Sequence, residues 1–117
     1  MVETTKYIDL KDRYLKEAKE LIANGNYLQA GEKLWGASAE IVKAVAAKGG
    51  KMLTTHKSIA DYVVELDKEH PEWNLIDAFS IAQGLHVNFY EDELPKRYVE
   101  RGYEIVKEFV DKLESLW

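Results

Sequence analysis

An all-α fold, an up-and-down antiparallel bundle of four to five helices, is predicted by three observations. Apolar residues recur at three- and four-residue steps through five separate segments. Asn24-Gly25-Asn26, Gly49-Gly50 and His70-Pro71 punctuate the chain between them. No stretch sustains the period-two alternation of a half-buried strand. Long helices joined by short connections become antiparallel neighbours.

The first segment runs from about Thr5 to Ala23, with Tyr7, Leu10, Tyr14, Ala18 and Leu21 stepping along one face. Asp9 with Arg13 and Asp12 with Lys16 are spaced as i,i+4 pairs for its solvent side, worth a few tenths of a kcal/mol each. Gly25 suits the left-handed position that closes this helix, and Asn26 suits the cap of the next. The second segment, Tyr27 to about Lys48, carries two adjacent apolar stripes: Tyr27, Ala30, Leu34, Ile41, Val45 and Trp35, Ala39, Val42, Ala46. A helix apolar over so much of its circumference belongs at the centre of a bundle. Gly31 and Gly36 each cost such a helix about 1 kcal/mol relative to Ala, so another helix or a symmetry mate is expected to approach closely there.

Segment three, about His56 to Glu69, turns Ile59, Tyr62, Val63 and Leu66 inward behind a Thr54 or Thr55 cap, and His70-Pro71 ends it. Segment four, about Trp73 to Tyr90, places Leu75, Phe79, Ala82, His86 and Phe89 on one stripe. Segment five opens near Pro95, which suits a first helical position, and continues to Leu116. Its stripes are Val99, Val106, Val110, Leu113 and Tyr98, Ile105, Phe109, Leu116. Trp35 reads as core, Trp73 as an anchor near a cap, and Trp117 as a docked terminus or an interface residue. Residues 1–117 read as a single helical-bundle domain. Gly25-Asn26-Tyr27-Leu28-Gln29-Ala30, with Ala37 beyond it, imitates half a tetratricopeptide repeat, but no second copy follows.

Composition narrows the functional classes. Apolar residues at 46% and charged residues at 32% are a globular mix. A net charge of −5 argues against nucleic-acid binding driven by bulk charge, though not against a local basic patch. There is no apolar run of about 18 residues to span a membrane, and the polar start Met1-Val2-Glu3-Thr4-Thr5-Lys6 lacks a signal-peptide core, so a cytoplasmic protein is expected. The absence of Cys excludes disulfides, thiolate catalysis and Cys-type zinc sites; with high charge and two Met it also suits a thermophile.

The richest chemistry sits in Leu85-His86-Val87-Asn88-Phe89-Tyr90-Glu91-Asp92. The imidazole of His86 suits a general base or acid. Tyr90 follows one turn later on the same face, and Asn88 with Glu91 shares a neighbouring face at i,i+3. His86, Asn88, Tyr90 and Glu91 are therefore the candidate binding residues, with His86 and Tyr90 the candidate catalytic ones. The competing reading makes His86 a hydrogen-bonded core histidine, because it falls on the apolar stripe. Neither a metal nor a cofactor is expected. His56, His70 and His86 lack i,i+4 ligand spacing, and Glu91-Asp92-Glu93 fits the dipole of the following helix. Lys48-Gly49-Gly50-Lys51 lacks the spacing of a phosphate-binding loop, and Lys96, Arg97 and Arg101 fit solvated helix turns, Glu93 with Arg97 being spaced as a further i,i+4 pair.

Together, Gly25-Asn26-Tyr27-Leu28-Gln29-Ala30-Gly31-Glu32-Lys33-Leu34-Trp35-Gly36-Ala37 and Leu85-His86-Val87-Asn88-Phe89-Tyr90-Glu91 resemble the archaeal PaREP family of small helical proteins, from Ala18 to about Leu113. That resemblance implies no particular activity. It does imply a fold similar to the HEPN superfamily, helical bundles that often dimerise and include metal-independent ribonucleases and toxin or antitoxin partners. Those ribonucleases place an Arg four to six residues before a His. His86 matches, but Phe79, Ser80 and Ile81 hold the Arg positions, and no basic side chain lies between Trp73 and Leu85. Without that cation, phosphoryl transfer lacks its main electrostatic stabilisation. Three readings follow: a non-enzymatic HEPN-like module, working as a homodimer, that binds a partner protein, nucleotide or RNA; a phosphodiester-cleaving enzyme using His86 and Tyr90; and a scaffold with no small-molecule site.

Overall fold

The computed structural model describes residues 4–117, so residues 1–3 of the polar start lie outside the described residues. Five α-helices follow one another: α1 (Thr5–Ala23), α2 (Tyr27–Lys48), α3 (His56–Glu69), α4 (Leu75–Glu91) and α5 (Lys96–Glu114). There is no strand among the described residues, and the fold is an all-α bundle. No helix among them is long and apolar enough to cross a membrane.

The joints between helices are mostly those that the local chemistry dictates. Gly25 takes φ +77°, so that the Asn26 N–H can turn back to the Leu21 carbonyl at 2.8 Å. Asn26 stands before α2 without a side-chain cap; only its main-chain carbonyl accepts, from Ala30. Thr55 caps α3 reciprocally: the Ser58 N–H donates to its hydroxyl at 3.0 Å, and the Thr55 N–H donates to the Ser58 hydroxyl at 3.0 Å. Two boundaries differ from expectation. Trp73 belongs to a separate 3₁₀ turn, Pro71–Trp73, because Asn74 adopts left-handed φ 53° and breaks the path into α4. Pro95 stands just outside α5, at its N-cap.

α2 is the centre, as its two stripes predict. Ala30, Leu34, Trp35, Ile41, Val42 and Val45 are all buried, and the helix packs against the other four. The close approaches expected at its glycines are made within the chain. A Cβ on Gly31 would touch Leu85 of α4 at 3.5 Å, and one on Gly36 would press into the Tyr14 ring of α1 at 2.9 Å.

α1 is rotated from the expected face. Ile8, Lys11 and Ala18 are buried, while Tyr7, Leu10, Tyr14 and Leu21 are half-buried. The ammonium of Lys11, 2% exposed, is held by Asp12 and by Glu114 of α5 at 2.6 Å. Neither Asp9–Arg13 nor Asp12–Lys16 forms. Arg13 reaches Glu17 at 3.3 Å, and Asp12 serves Lys11. Glu93–Arg97 does not form either, because the helix begins only at Lys96 and the two are not on one helical surface. Burial alone would lower the pKa of Lys11, but the two carboxylates outweigh it and hold the group above its ordinary 10.5.

Candidate functional site

The contact of Gly31 with Leu85 sets the distance between α2 and α4, and one residue further along each helix stands the next pair: Glu32 and His86. His86 Nδ1 lies 2.8 Å from Glu32 Oε1 and 3.1 Å from Oε2. A carboxylate can only accept, so it holds the N–H on Nδ1 and leaves Nε2 as the free acceptor of the neutral ring. Both side chains are 27% exposed, at the mouth of the interface rather than deep inside it.

The imidazole is also seated among rings. Trp35, one turn after Glu32 on α2, stacks on it at 5.0 Å between centroids and 25° between planes. His56, the first residue of α3, meets the edge of His86 at 5.4 Å and the edge of Trp35 at 5.2 Å. Tyr90, one turn beyond His86 on α4, makes a perpendicular contact at 5.7 Å and remains 74% exposed. Phe79 supports Trp35 from the core at 5.5 Å. Beside this cluster a cleft of about 270 Å³ opens between α1, α2 and α3, lined by Tyr14, Glu32, Trp35 and His56 and by Lys33 and Lys43, which pair with Glu17 at 3.6 Å and Glu40 at 3.4 Å.

Of the residues singled out from sequence, the structure brings His86 and Tyr90 together and separates the other two. Asn88 is 5% exposed and turns toward the loop before α5, where its side-chain oxygen accepts the backbone N–H groups of Glu93 at 2.7 Å and Leu94 at 2.8 Å. Glu91 is exposed at the last turn of α4. Phe89 is exposed as well, because the buried stripe runs through Leu85 and Asn88. Sequence reasoning missed Glu32, Trp35 and His56 as partners of His86. The Glu32-x-x-Trp35 spacing marks one helical face, but nothing local shows which helix it meets.

No Lys or Arg touches the His86 ring; its neighbours are Glu32, Trp35, His56 and Tyr90. Arg97 and Arg101 lie instead along the groove on the far side of α4, with Ser80 and Ile81, and Arg101 is paired with Glu104 at 2.6 Å. Among the described residues no group of three or more His, Asp or Glu side chains is placed to hold a metal ion. The arrangement offers an oriented imidazole nitrogen, aromatic faces and edges, and a carboxylate.

Residues 6–110 match the profile of the archaeal PaREP1/PaREP8 family. The fold is similar to the crystal structure of a protein from Sulfolobus solfataricus, with a TM-score of 0.81 and 22% identity over 92% of this chain and 95% of that one. No curated protein matches the sequence.

Proposed function

The chain belongs to the archaeal PaREP1/PaREP8 family, and from that premise we propose that it is a non-enzymatic, HEPN-like cytoplasmic module that binds a nucleotide or the base of a short RNA at the His86 cluster and works as a homodimer. The observation that carries this reading is the setting of His86: oriented by Glu32, stacked on Trp35, edged by His56 and Tyr90, and touched by no cation. Exposed rings such as Tyr90 and His56 offer stacking surfaces, worth about 1–3 kcal/mol per base in single-strand binding. The net charge of −5 restrains contact with a long phosphate backbone, which favours a mononucleotide or a short segment.

One contact favours the enzymatic alternative. Glu32 holds His86 in the tautomer a general base needs. Against it stands the lack of a cation in contact with His86 to meet the charge that develops on the transferring phosphoryl group, since Lys33 and Lys43 of the neighbouring cleft pair with Glu17 and Glu40. Titration with purine and pyrimidine mononucleotides, followed by NMR of the imidazole and indole groups, tests the binding reading. Shifts at His86, His56 and Trp35 are expected, and His86→Ala should weaken binding at least tenfold. No shift at about 1 mM nucleotide, or of a short oligoribonucleotide, rejects it. Metal-free RNA cleavage that His86→Ala abolishes would replace it with the ribonuclease reading.

A further inference from the structure

The bundle leaves one helix uncovered on its outer side. Between Asp77 and Glu91, α4 carries no carboxylate, Lys or Arg, and its one titratable imidazole, His86, turns toward α2. Leu75, Phe79, Ala82 and Leu85 fill the core from one face. The opposite face is apolar too: Ile76, Ile81 and Val87 are 42%, 41% and 52% exposed, with Ser80 and Gly84 between them. Tyr98 of α5, 60% exposed, extends this surface across a groove of about 530 Å³ between α4 and α5. A helix apolar on all sides is a buried helix, and here only half of it is buried by its own chain.

Gly84 adds an independent sign. A Cβ on Gly31, Gly36 or Gly102 would meet a neighbour within the chain, whereas one on Gly84 would meet nothing within 4 Å. The fold of a single chain therefore gives no reason for a residue that weakens a helix at this position.

We propose that this face receives a second copy of the chain, α4 against α4 across a twofold axis near Gly84; the proposal rests on the homodimer reading and gives it a surface. The area fits. A stable interface buries roughly 800 Å² per partner, and homodimer interfaces are about 65% apolar, which asks about 500 Å² of apolar surface from each copy. At roughly 200 Å² for a fully exposed large side chain, Ile76, Ile81, Val87 and Tyr98 leave on the order of 400 Å² in water. The half-buried Leu94 and Ile105 of the groove supply the remainder. Ser80 and Gly84 are small and exposed one turn apart on this face, which lets a second helix approach closely there. The charge fits as well. The Ala78–Tyr90 stretch of α4 brings no charge to the crossing, and the charges the α5 wall of the groove brings are the cations of Arg97 and Arg101 rather than further carboxylates of two acidic chains. Asp77 and Glu91 are exposed on the same face two turns either side of Gly84, and they bound the uncharged stretch at its two ends.

Light scattering and sedimentation on the full chain at tens of micromolar provide the test, with Gly84→Leu and Val87→Glu as variants and circular dichroism as the control of folding. The expected wild-type mass is twice 13.5 kDa. Each variant should keep its helicity, because position 84 opens into free space and Val87 is 52% exposed, while raising the dimer dissociation constant at least tenfold. The chain has no Cys, so Gly84→Cys adds a direct readout. Residues beside a twofold axis come within the roughly 4.4–6.8 Å between Cα atoms that a disulfide spans, and a covalent dimer should form on mild oxidation. A dimer that survives both variants, with no cross-link at position 84, overturns this surface and leaves the homodimer reading standing. A wild-type mass of 13.5 kDa overturns both.

Discussion

Leu85 Cδ1 stands 2.9 Å from where a Cβ on Gly102 would lie, so α4 and α5 touch through the absence of a side chain. Gly102→Ala should therefore destabilise the protein by about 1–3 kcal/mol through overpacking, although Ala is the better helix former. Urea unfolding checks this. The Gly102→Ala, Leu85→Val pair should lose less than the sum of the two single changes, because one methyl group makes room for the other. Strict additivity would show that the two residues do not compete for the same space.

Asn88 holds the loop between α4 and α5. Its oxygen takes two backbone N–H groups that no helix satisfies. Asn88→Ala should cost about 1–3 kcal/mol, since those donors are left to incomplete hydration. Hydrogen exchange at Glu93 and Leu94 should quicken in the variant. Unchanged exchange there would mean that the loop is ordered by something else.

Lys11 gives stability an alkaline limit. Its pKa is raised in the folded protein, so the folded state holds the proton more tightly than the unfolded chain does. That contribution is whole below the ordinary value of 10.5 and is lost as pH rises through the higher folded value. Thermal melts from about pH 9 to 12 should fall more steeply for the wild type than for Lys11→Met. Parallel curves would show that the ion pair with Glu114 contributes no pH-dependent stability.

The His86–Glu32 pair should contribute modestly to stability, because both side chains are 27% exposed. His86→Ala is expected to cost about 1 kcal/mol, a fall of about 3–5 °C in melting temperature for a domain of this size. Glu32→Gln keeps an acceptor for the ring and should cost less. A loss above about 3 kcal/mol for His86→Ala would mark the imidazole as a core group.

The helices were legible because their signals are local. Gly25, Thr55 and His70-Pro71 act on the residues beside them, and the element bounds follow. The face of α1 was less legible. A lysine reads as an outward residue, yet Lys11 is buried because Glu114, 103 positions away, awaits its ammonium. The partners of His86 were hidden for the same reason of distance. Glu32 lies 54 residues from His86, and only the α2–α4 crossing brings them together. Asn88 drew notice as a polar group in an apolar run; burial and two backbone donors give it a structural task that its residue type alone does not disclose.

The central place of α2 bears on how fast the chain can fold. α1 joins α2 through a three-residue turn, so that hairpin closes early and at small entropic cost. α5 meets α2 across the whole of α3 and α4, so that contact closes a much longer loop. Substitutions at the α1–α2 seam, such as Tyr14→Ala, should slow refolding, whereas substitutions on α5, such as Val106→Ala, should chiefly hasten unfolding. The two arms of a chevron plot would then divide the molecule into an early half and a late half.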